Sequence, residues 1–141
     1  MTQQAQWQCP DCGFALYLPV RTSLTHSQLG LYSDARFPGR AILAFNDHVE
    51  QLEDLTAEGR AGFWSDAVKV GTAIKRATGS LRINYAVLGN AEPHLHIHLV
   101  PRRPDLEPLP TRPPWNDSRP PEELNPQAVR YLIETLGKLL S

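Results

Sequence analysis

Three histidines alternate with apolar residues in the run Pro93-His94-Leu95-His96-Ile97-His98-Leu99-Val100-Pro101-Arg102. Imidazole offers two kinds of chemistry. A neutral ring nitrogen can ligate a metal, or it can attack an electrophile and later leave. Both need several rings on one side of the chain. A β-strand has a side-chain period of two, so it would put His94, His96 and His98 on one face. Leu95, Ile97 and Leu99 would then point into a core. A helix, at about 3.6 residues per turn, would scatter the imidazoles over about 200°. The prolines at either end fit as strand stops, because proline cannot donate a ladder hydrogen bond. A lone histidine on a strand is usually an ordinary surface or core residue. Three on one face, backed by an apolar face, are costly to bury without a purpose. Spacing alone leaves metal binding and covalent chemistry both open.

Cys9-Pro10-Asp11-Cys12-Gly13 is the second group with chemical potential. A Cys-x-x-Cys knuckle outside a thioredoxin-like context reads as half of a zinc site before it reads as a redox centre.

The elements that must position these groups follow from pattern. Leu81 to Leu88 alternates and reads as a strand, joined to the histidine strand by the short link Gly89 to Pro93 as an antiparallel hairpin. Asn90 lies in that link, as a turn residue or as a functional one. Phe14 to Val20, Gly30 to Ser33 and Ala41 to Phe45 read as further strands. A helix starts after Thr56, a good N-cap with Glu58 in the first turn. Its apolar stripe is Phe63, Ala67, Val70, Ile74 and Ala77, and Gly79 is placed to end it. Nine of the 13 prolines lie between Pro101 and Pro126, so regular structure is not expected there. Trp115 is an isolated aromatic within that stretch, suited to anchoring it near the site or on a partner subunit. Asn125-Pro126 reads as N-cap and first residue of a last helix, residues 126–140, whose apolar face is Val129, Leu132, Ile133, Leu136 and Leu140. The fold class expected is α+β: an antiparallel sheet of about five strands with two helices.

At 141 residues the chain suits a single domain, residues 1–141, with a proper core. Its net charge is −1, so no basic field invites a nucleic acid polymer or an anionic membrane. The opening Met-Thr-Gln-Gln-Ala-Gln-Trp has neither the basic nor the apolar region of a leader. A cytoplasmic location is expected, with reduced thiols.

The triplet resembles the signature of the histidine triad (HIT) family, His-φ-His-φ-His-φ-φ with φ apolar, and the Pro-Arg that often follows is present as Pro101-Arg102. Gly89-Asn90 sits where many members have Gly-Gln. Asp34-Ala35-Arg36-Phe37-Pro38-Gly39 and the following Arg40-Ala41-Ile42-Leu43-Ala44-Phe45 resemble a bacterial branch of that family. The likeness runs from about Leu29 to Arg103. It implies a HIT-like fold, a homodimer, and a nucleotide substrate attacked at its α-phosphate: a phosphoramidate, an adenylate or a dinucleoside polyphosphate. By the same resemblance His96 would form a nucleotidyl-histidine, His98 would contact the phosphate, and His94 would sit at the edge of the site. Asn90 would donate to a phosphoryl oxygen or the leaving group. Asp34, Asn84 and Gly89 are the nucleotide-binding candidates, with Asp34 near the ribose. Asn90 in place of the common Gln leaves the leaving-group preference open. The short His-Pro-His-x-Gln run of uridylyltransferases is not matched, which favours a hydrolase.

The central place of His96, with a histidine on each side, also makes it the natural nucleophile. The competing class is a metal-binding or nucleotide-binding regulatory protein without significant turnover. For the knuckle, two more ligands are needed. With His96 and His98 committed to chemistry, His26, His48 and His94 remain of the five histidines. A structural zinc on Cys9, Cys12, His48 and His94 is expected. His48 follows a rigid strand and resembles a position that zinc-containing relatives use; His26 is the fallback. The apolar stripe around Phe63, with Trp64 beside it, is the sequence's own argument for a homodimer.

Overall fold

A computed structural model describes residues 7–141; the leaderless reading of the first residues lies outside them. Seven strands and two α-helices follow in chain order. They are β1 (Trp7–Gln8), β2 (Ala15–Leu16), β3 (Pro19–Val20), β4 (Ser27–Leu31), β5 (Ala41–Phe45), α1 (Ala57–Thr78), β6 (Arg82–Ala86), β7 (His96–Arg102) and α2 (Pro126–Leu139). The main sheet is five-stranded and antiparallel, in the order β3-β4-β5-β7-β6. The expected α+β architecture of two helices on a five-stranded antiparallel sheet is therefore present. Among the described residues no helix is long and apolar enough to cross a membrane.

β7 splits by residue parity, as its sequence requires. Leu95, Ile97 and Leu99 join the core with Leu29, Leu43, Phe63, Ile74 and Leu136, and both helices cover that face. The even residues face the other way, where no helix lies among the described residues. There Ala44 pairs with His96, and both Ile42 and Ala86 flank His98. The two alanines leave the imidazoles room.

The hairpin β1-β2 packs on the helix-free face as a second small cluster of Cys9, Phe14, Leu16 and Ala44. Gly30 permits this approach: a Cβ there would lie only 3.1 Å from the Leu16 side chain. Phe14 to Val20 is not one strand, as expected from sequence, but two. A bend at Tyr17-Leu18 sends β2 to the hairpin and β3 to the edge of the main sheet.

Helix boundaries follow the capping signals. The Thr56 side chain accepts a hydrogen bond from the Gly59 amide, and Gly79 ends α1 in the left-handed region at φ 71°. The Asn125 side chain caps α2 by accepting from the Gln127 amide. The proline-rich stretch has one short 3₁₀ turn, Pro114–Asn116, and is otherwise irregular but firmly held. Arg119 donates to the Arg36 carbonyl, Arg36 donates to the Arg119 carbonyl, and the Ala35 amide donates to the Glu122 carbonyl at 2.7 Å.

One expectation needs correction. The α1 stripe does not leave Phe63 for a partner: Phe63 is fully buried against Phe45 within the chain, their ring centroids 5.4 Å apart. The surplus apolar surface is the outer side of α1, Trp64 and Val68, together with Leu81 and Tyr85. Replacing Phe63 with Ala removes a ring from the closed core and is expected to cost about 3–5 kcal/mol in denaturant unfolding. Val68→Ala, at 59% exposure, is expected to change stability by less than about 0.5 kcal/mol. Similar losses for the two variants would contradict this packing.

Candidate functional site

The even face of β7 carries the chemistry; His94 and His96 are oriented by backbone carbonyls, and His98 by the rings packed against it. His96 Nδ1 donates to the His94 carbonyl at 2.6 Å. That bond fixes the tautomer and leaves Nε2 with its lone pair. Phe14 stacks on His96 at 5.0 Å and on His94 at 5.2 Å between ring centroids. The His98 ring meets His96 edge-on at 4.9 Å. His98 Nδ1 is buried without a hydrogen-bond partner. Burial, aided by His96 and the Arg40 guanidinium, pushes the His98 pKa down to about 4, so the ring is neutral at pH 7.

His96 and His98 open onto a cavity of about 780 Å³. Its apolar wall is Phe14, Leu16, Leu18, Leu31 and Ile42, with Tyr17 and Tyr32 at the side. Gly89, Asn90 and Glu92 enter from the β6–β7 loop, and Gly89 turns that loop at φ 64°. Size and lining suit a small organic ligand with an apolar ring and a polar end. Ser33 and Glu123 also line it. Neither carried a motif: Glu123 arrives only because the proline-rich segment is pinned beside Ser33, whose hydroxyl accepts from the Leu124 amide at 2.9 Å.

His94 turns to a different task. It lies just ahead of β7 and is fully buried. Its Nε2 donates to the Phe45 carbonyl at 2.8 Å, so Nδ1 carries the lone pair and faces Cys12 Sγ at 3.5 Å. Burial lowers its pKa; the Phe45 carbonyl opposes that, and His48 and His96 reinforce it. Cys9 Sγ lies 4.0 Å from His48 Nδ1, and the donor atoms of Cys9, Cys12, His48 and His94 all fall within 4.8 Å of one another. A tetrahedral zinc with bond lengths of about 2.0–2.3 Å sets its ligand atoms about 3.3–3.8 Å apart. The donor set suits such an ion, and closing the group by about 1 Å or less would bring the spacing to that range. The Phe45 carbonyl already supplies the outer hydrogen bond that orients a ligating histidine. His26 is remote from this group; its ring nitrogen meets the Thr25 hydroxyl at 2.8 Å. The structure thus divides the triad, giving His94 to the knuckle and His96 and His98 to the cavity.

Two nucleotide-binding expectations are displaced. Asp34 does not line the cavity. It is buried, and both its oxygens are taken: Oδ1 by the Arg36 amide and Nε, Oδ2 by the Arg36 and Arg40 guanidinium groups at 2.9 and 3.1 Å. Burial alone would raise its pKa, but the Arg36 and Arg40 bonds hold the carboxyl below its ordinary range. No lone pair is left aimed at a ribose. Asn84 lies farther along the same sheet face, accepting from Arg102 at 2.8 Å, in a neighbouring cavity bounded by Trp115. Trp115 meets the His98 ring edge-on at 5.9 Å, and the Arg40 guanidinium stacks between Tyr32 and Trp115 at 4.0 and 5.3 Å from the ring centres.

Comparison with known proteins agrees with this geometry. No curated protein matches the chain. Among solved structures, a histidine triad protein from Sinorhizobium meliloti is 27% identical at a TM-score of 0.77, covering 87% of this chain and 89% of that one. A histidine triad protein from Bradyrhizobium japonicum is 26% identical at 0.77, covering 87% and 91%. A zinc-bound histidine triad family protein from Mycobacterium smegmatis shares the fold at 18% identity and a TM-score of 0.58, covering 86% and 84%. The family model described as HIT domain matches residues 24–105, which hold all three triad histidines and most of the main sheet. The chain belongs to the HIT domain family.

Proposed function

We propose that this protein is a nucleotide hydrolase or nucleotidyl transferase acting at an α-phosphate through a covalent nucleotidyl-histidine on His96. The observation that carries this reading is the His96 tautomer: Nδ1–H is held by the His94 carbonyl, and Nε2 is free beside the cavity of about 780 Å³. The Nε2 lone pair attacks the α-phosphorus, a P–N bond forms, and the bond from phosphorus to the leaving group breaks. The leaving group takes the electron pair. Water then attacks the same phosphorus and gives up a proton, the P–N bond breaks, and the mononucleotide leaves with His96 restored. The apolar wall of Phe14, Leu16 and Ile42 receives the nucleoside. His98 contacts a phosphoryl oxygen. Asn90 donates to a phosphoryl oxygen or to the leaving group, and Gly89 shapes the loop that brings it there. His94 is a positioning residue: its carbonyl sets the His96 tautomer.

His96→Asn is expected to fold normally and to lose nucleotide turnover by at least about a thousandfold. In the parent protein, brief incubation with labelled nucleotide should give an acid-labile adduct on His96. Near-normal turnover by the variant would sink the covalent mechanism and favour a binding protein without turnover.

A zinc ion held by Cys9, Cys12, His48 and His94 is part of the same proposal. The donor spacing supports it, as does the zinc-bound relative of the same fold. When bound, the ion ties the N-terminal knuckle to the strand of the site, and it has no step in the reaction. Protein purified without a histidine tag or added metal should carry near-stoichiometric zinc, lost in the Cys9→Ser/Cys12→Ser variant together with thermal stability. A zinc-free protein of full stability would refute the site.

A homodimer completes the reading. Trp64 and Val68, one turn apart on α1, are exposed, as is Tyr85, whose hydroxyl lies against Gly71 on the same helix, and together they offer apolar surface for a second copy. Sedimentation at micromolar concentration should give twice the mass of the chain, and Val68→Arg should shift it toward the monomer. A parent protein that sediments as a monomer excludes the dimer.

A further inference from the structure

Two side-chain nitrogens are buried without a hydrogen-bond partner among the described residues, His98 Nδ1 and Arg40 Nε. They belong to one corner of the sheet face. Ile42 pairs with His98 across β5 and β7, and Arg40, two residues before Ile42, projects to the same side. The His98 ring and the Arg40 guanidinium pack on one indole, at 5.9 and 5.3 Å from the centre of Trp115. Arg40 is itself firmly held. It is buried, its Nη1 donates to Asp34 at 3.1 Å, and the Tyr32 ring centre lies 4.0 Å from its guanidinium. Asp34 is shared with Arg36, so two guanidinium groups and one carboxylate leave one net positive charge in this corner. The cavity at His96 and His98, by contrast, has no Lys or Arg in its lining, and Glu92 and Glu123 stand in it. A negatively charged phosphoryl group meets no cation on that wall. The cation stands behind His98.

We propose that Arg40 is a positioning residue: it fixes His98 in the tautomer whose Nδ1 lone pair faces the guanidinium, so that Nε2–H is what His98 presents to a phosphoryl oxygen. The role in turnover rests on the nucleotidyl-transfer reading of His96. Burial first, then His96 and Arg40, keep the His98 ring neutral, so it carries one N–H. With the hydrogen on Nδ1, two N–H donors would be buried in one corner without an acceptor, one of them on a cation. With it on Nε2, the Nδ1 lone pair lies in the field of the guanidinium, which is an attraction. The two rings then differ in the way the reaction needs. His96 shows the cavity a lone pair and His98 shows it a proton. Two free lone pairs would form half a metal site; one lone pair and one N–H form a nucleophile and a donor to the oxygen where charge gathers. His98 keeps its proton through both displacements, and no bond forms or breaks on it. Asp34 enters the reaction only through Arg40, by holding that guanidinium in place.

The test is an NMR spectrum of the full-length protein, isotope-labelled at its imidazole nitrogens, with the His98 signals assigned through His98→Gln. In the parent protein His98 is expected to carry its hydrogen on Nε2. A hydrogen on Nδ1 overturns the proposal before any change is made to Arg40. Arg40→Met is expected to turn His98 into a mixture of tautomers and to lower kcat for adenosine 5′-phosphoramidate about tenfold, with KM within about twofold of the parent. Arg40→Lys keeps the cation without the planar stack, and is expected to hold the Nε2–H form and to bring kcat within about threefold of the parent. A residue that served only the stack between Tyr32 and Trp115 would leave the tautomer unchanged in Arg40→Met and would not be rescued by lysine; that result also overturns the proposal. Should Arg40→Met fail to fold, the parent spectrum and Arg40→Lys decide, and loss of the Nε2–H form in the lysine variant contradicts the role of the charge. A parent protein that turns over neither adenosine 5′-phosphoramidate nor diadenosine triphosphate would refute the His96 reading, and the spectra would still decide whether Arg40 sets the His98 tautomer.

Discussion

The site depends on the placement of β7 between β5 and β6, with its odd residues sealed in the core. Leu95, Ile97 and Leu99 are at most 1% exposed, and a slip of one residue would exchange them with the histidines. Two antiparallel neighbours make that slip costly, because each ladder would have to shift with it. The imidazoles are thus held at strand geometry by apolar burial on the opposite side of the sheet. Ala44 and Ala86 beside them keep the face shallow enough for a ligand.

On that face the electrostatics are set by burial and not by a carboxylate. His98 is driven to the neutral form by desolvation first, and by His96 and Arg40 after it. His94 is driven the same way. Protonating His98 inside the fold is opposed, whereas in the unfolded chain it titrates near ~6.5. Its folded pKa is depressed, so the stability it contributes is present above the unfolded value and is lost as pH falls from there toward about 4. Among the described residues no acidic partner orients the His96 ring. A backbone carbonyl does so, and it belongs to His94, whose own ring is fixed by the Phe45 carbonyl and the knuckle. Knuckle, His94 and His96 therefore form one mechanical series.

The other end of the face is held by arginines. Phe37 has the guanidinium groups of Arg36, Arg102 and Arg119 within 6.0 Å of its ring centre, and each has a carboxylate partner, Asp34, Glu107 or Asp117. This cluster pins a segment that makes no sheet or α-helix of its own. It carries Trp115 to His98 and Glu123 to the cavity at His96 and His98. A stretch without periodicity in the sequence thereby supplies walls to both cavities.

The sequence by itself determined the elements whose cause is local. The alternation from His94 to Leu99 fixed the strand and its two faces. Thr56, Gly79 and Asn125-Pro126 fixed the helix ends, because caps act within one turn. The Cys-x-x-Cys spacing implies a half-site; counting histidines leaves His26, His48 and His94 for the other half, and the resemblance to zinc-containing relatives points to His48 and His94. Tertiary structure decided everything that needed distant chain to meet. It turned His94 away from the cavity and toward the knuckle. It committed Asp34 to the guanidinium groups of Arg36 and Arg40. It broke Phe14–Val20 at Tyr17-Leu18, and it brought Trp115 and Glu123 to the sheet face. Periodicity reports which way a side chain points from its own backbone; what it meets there is set by long-range packing and charge pairing, which leave no local pattern to read.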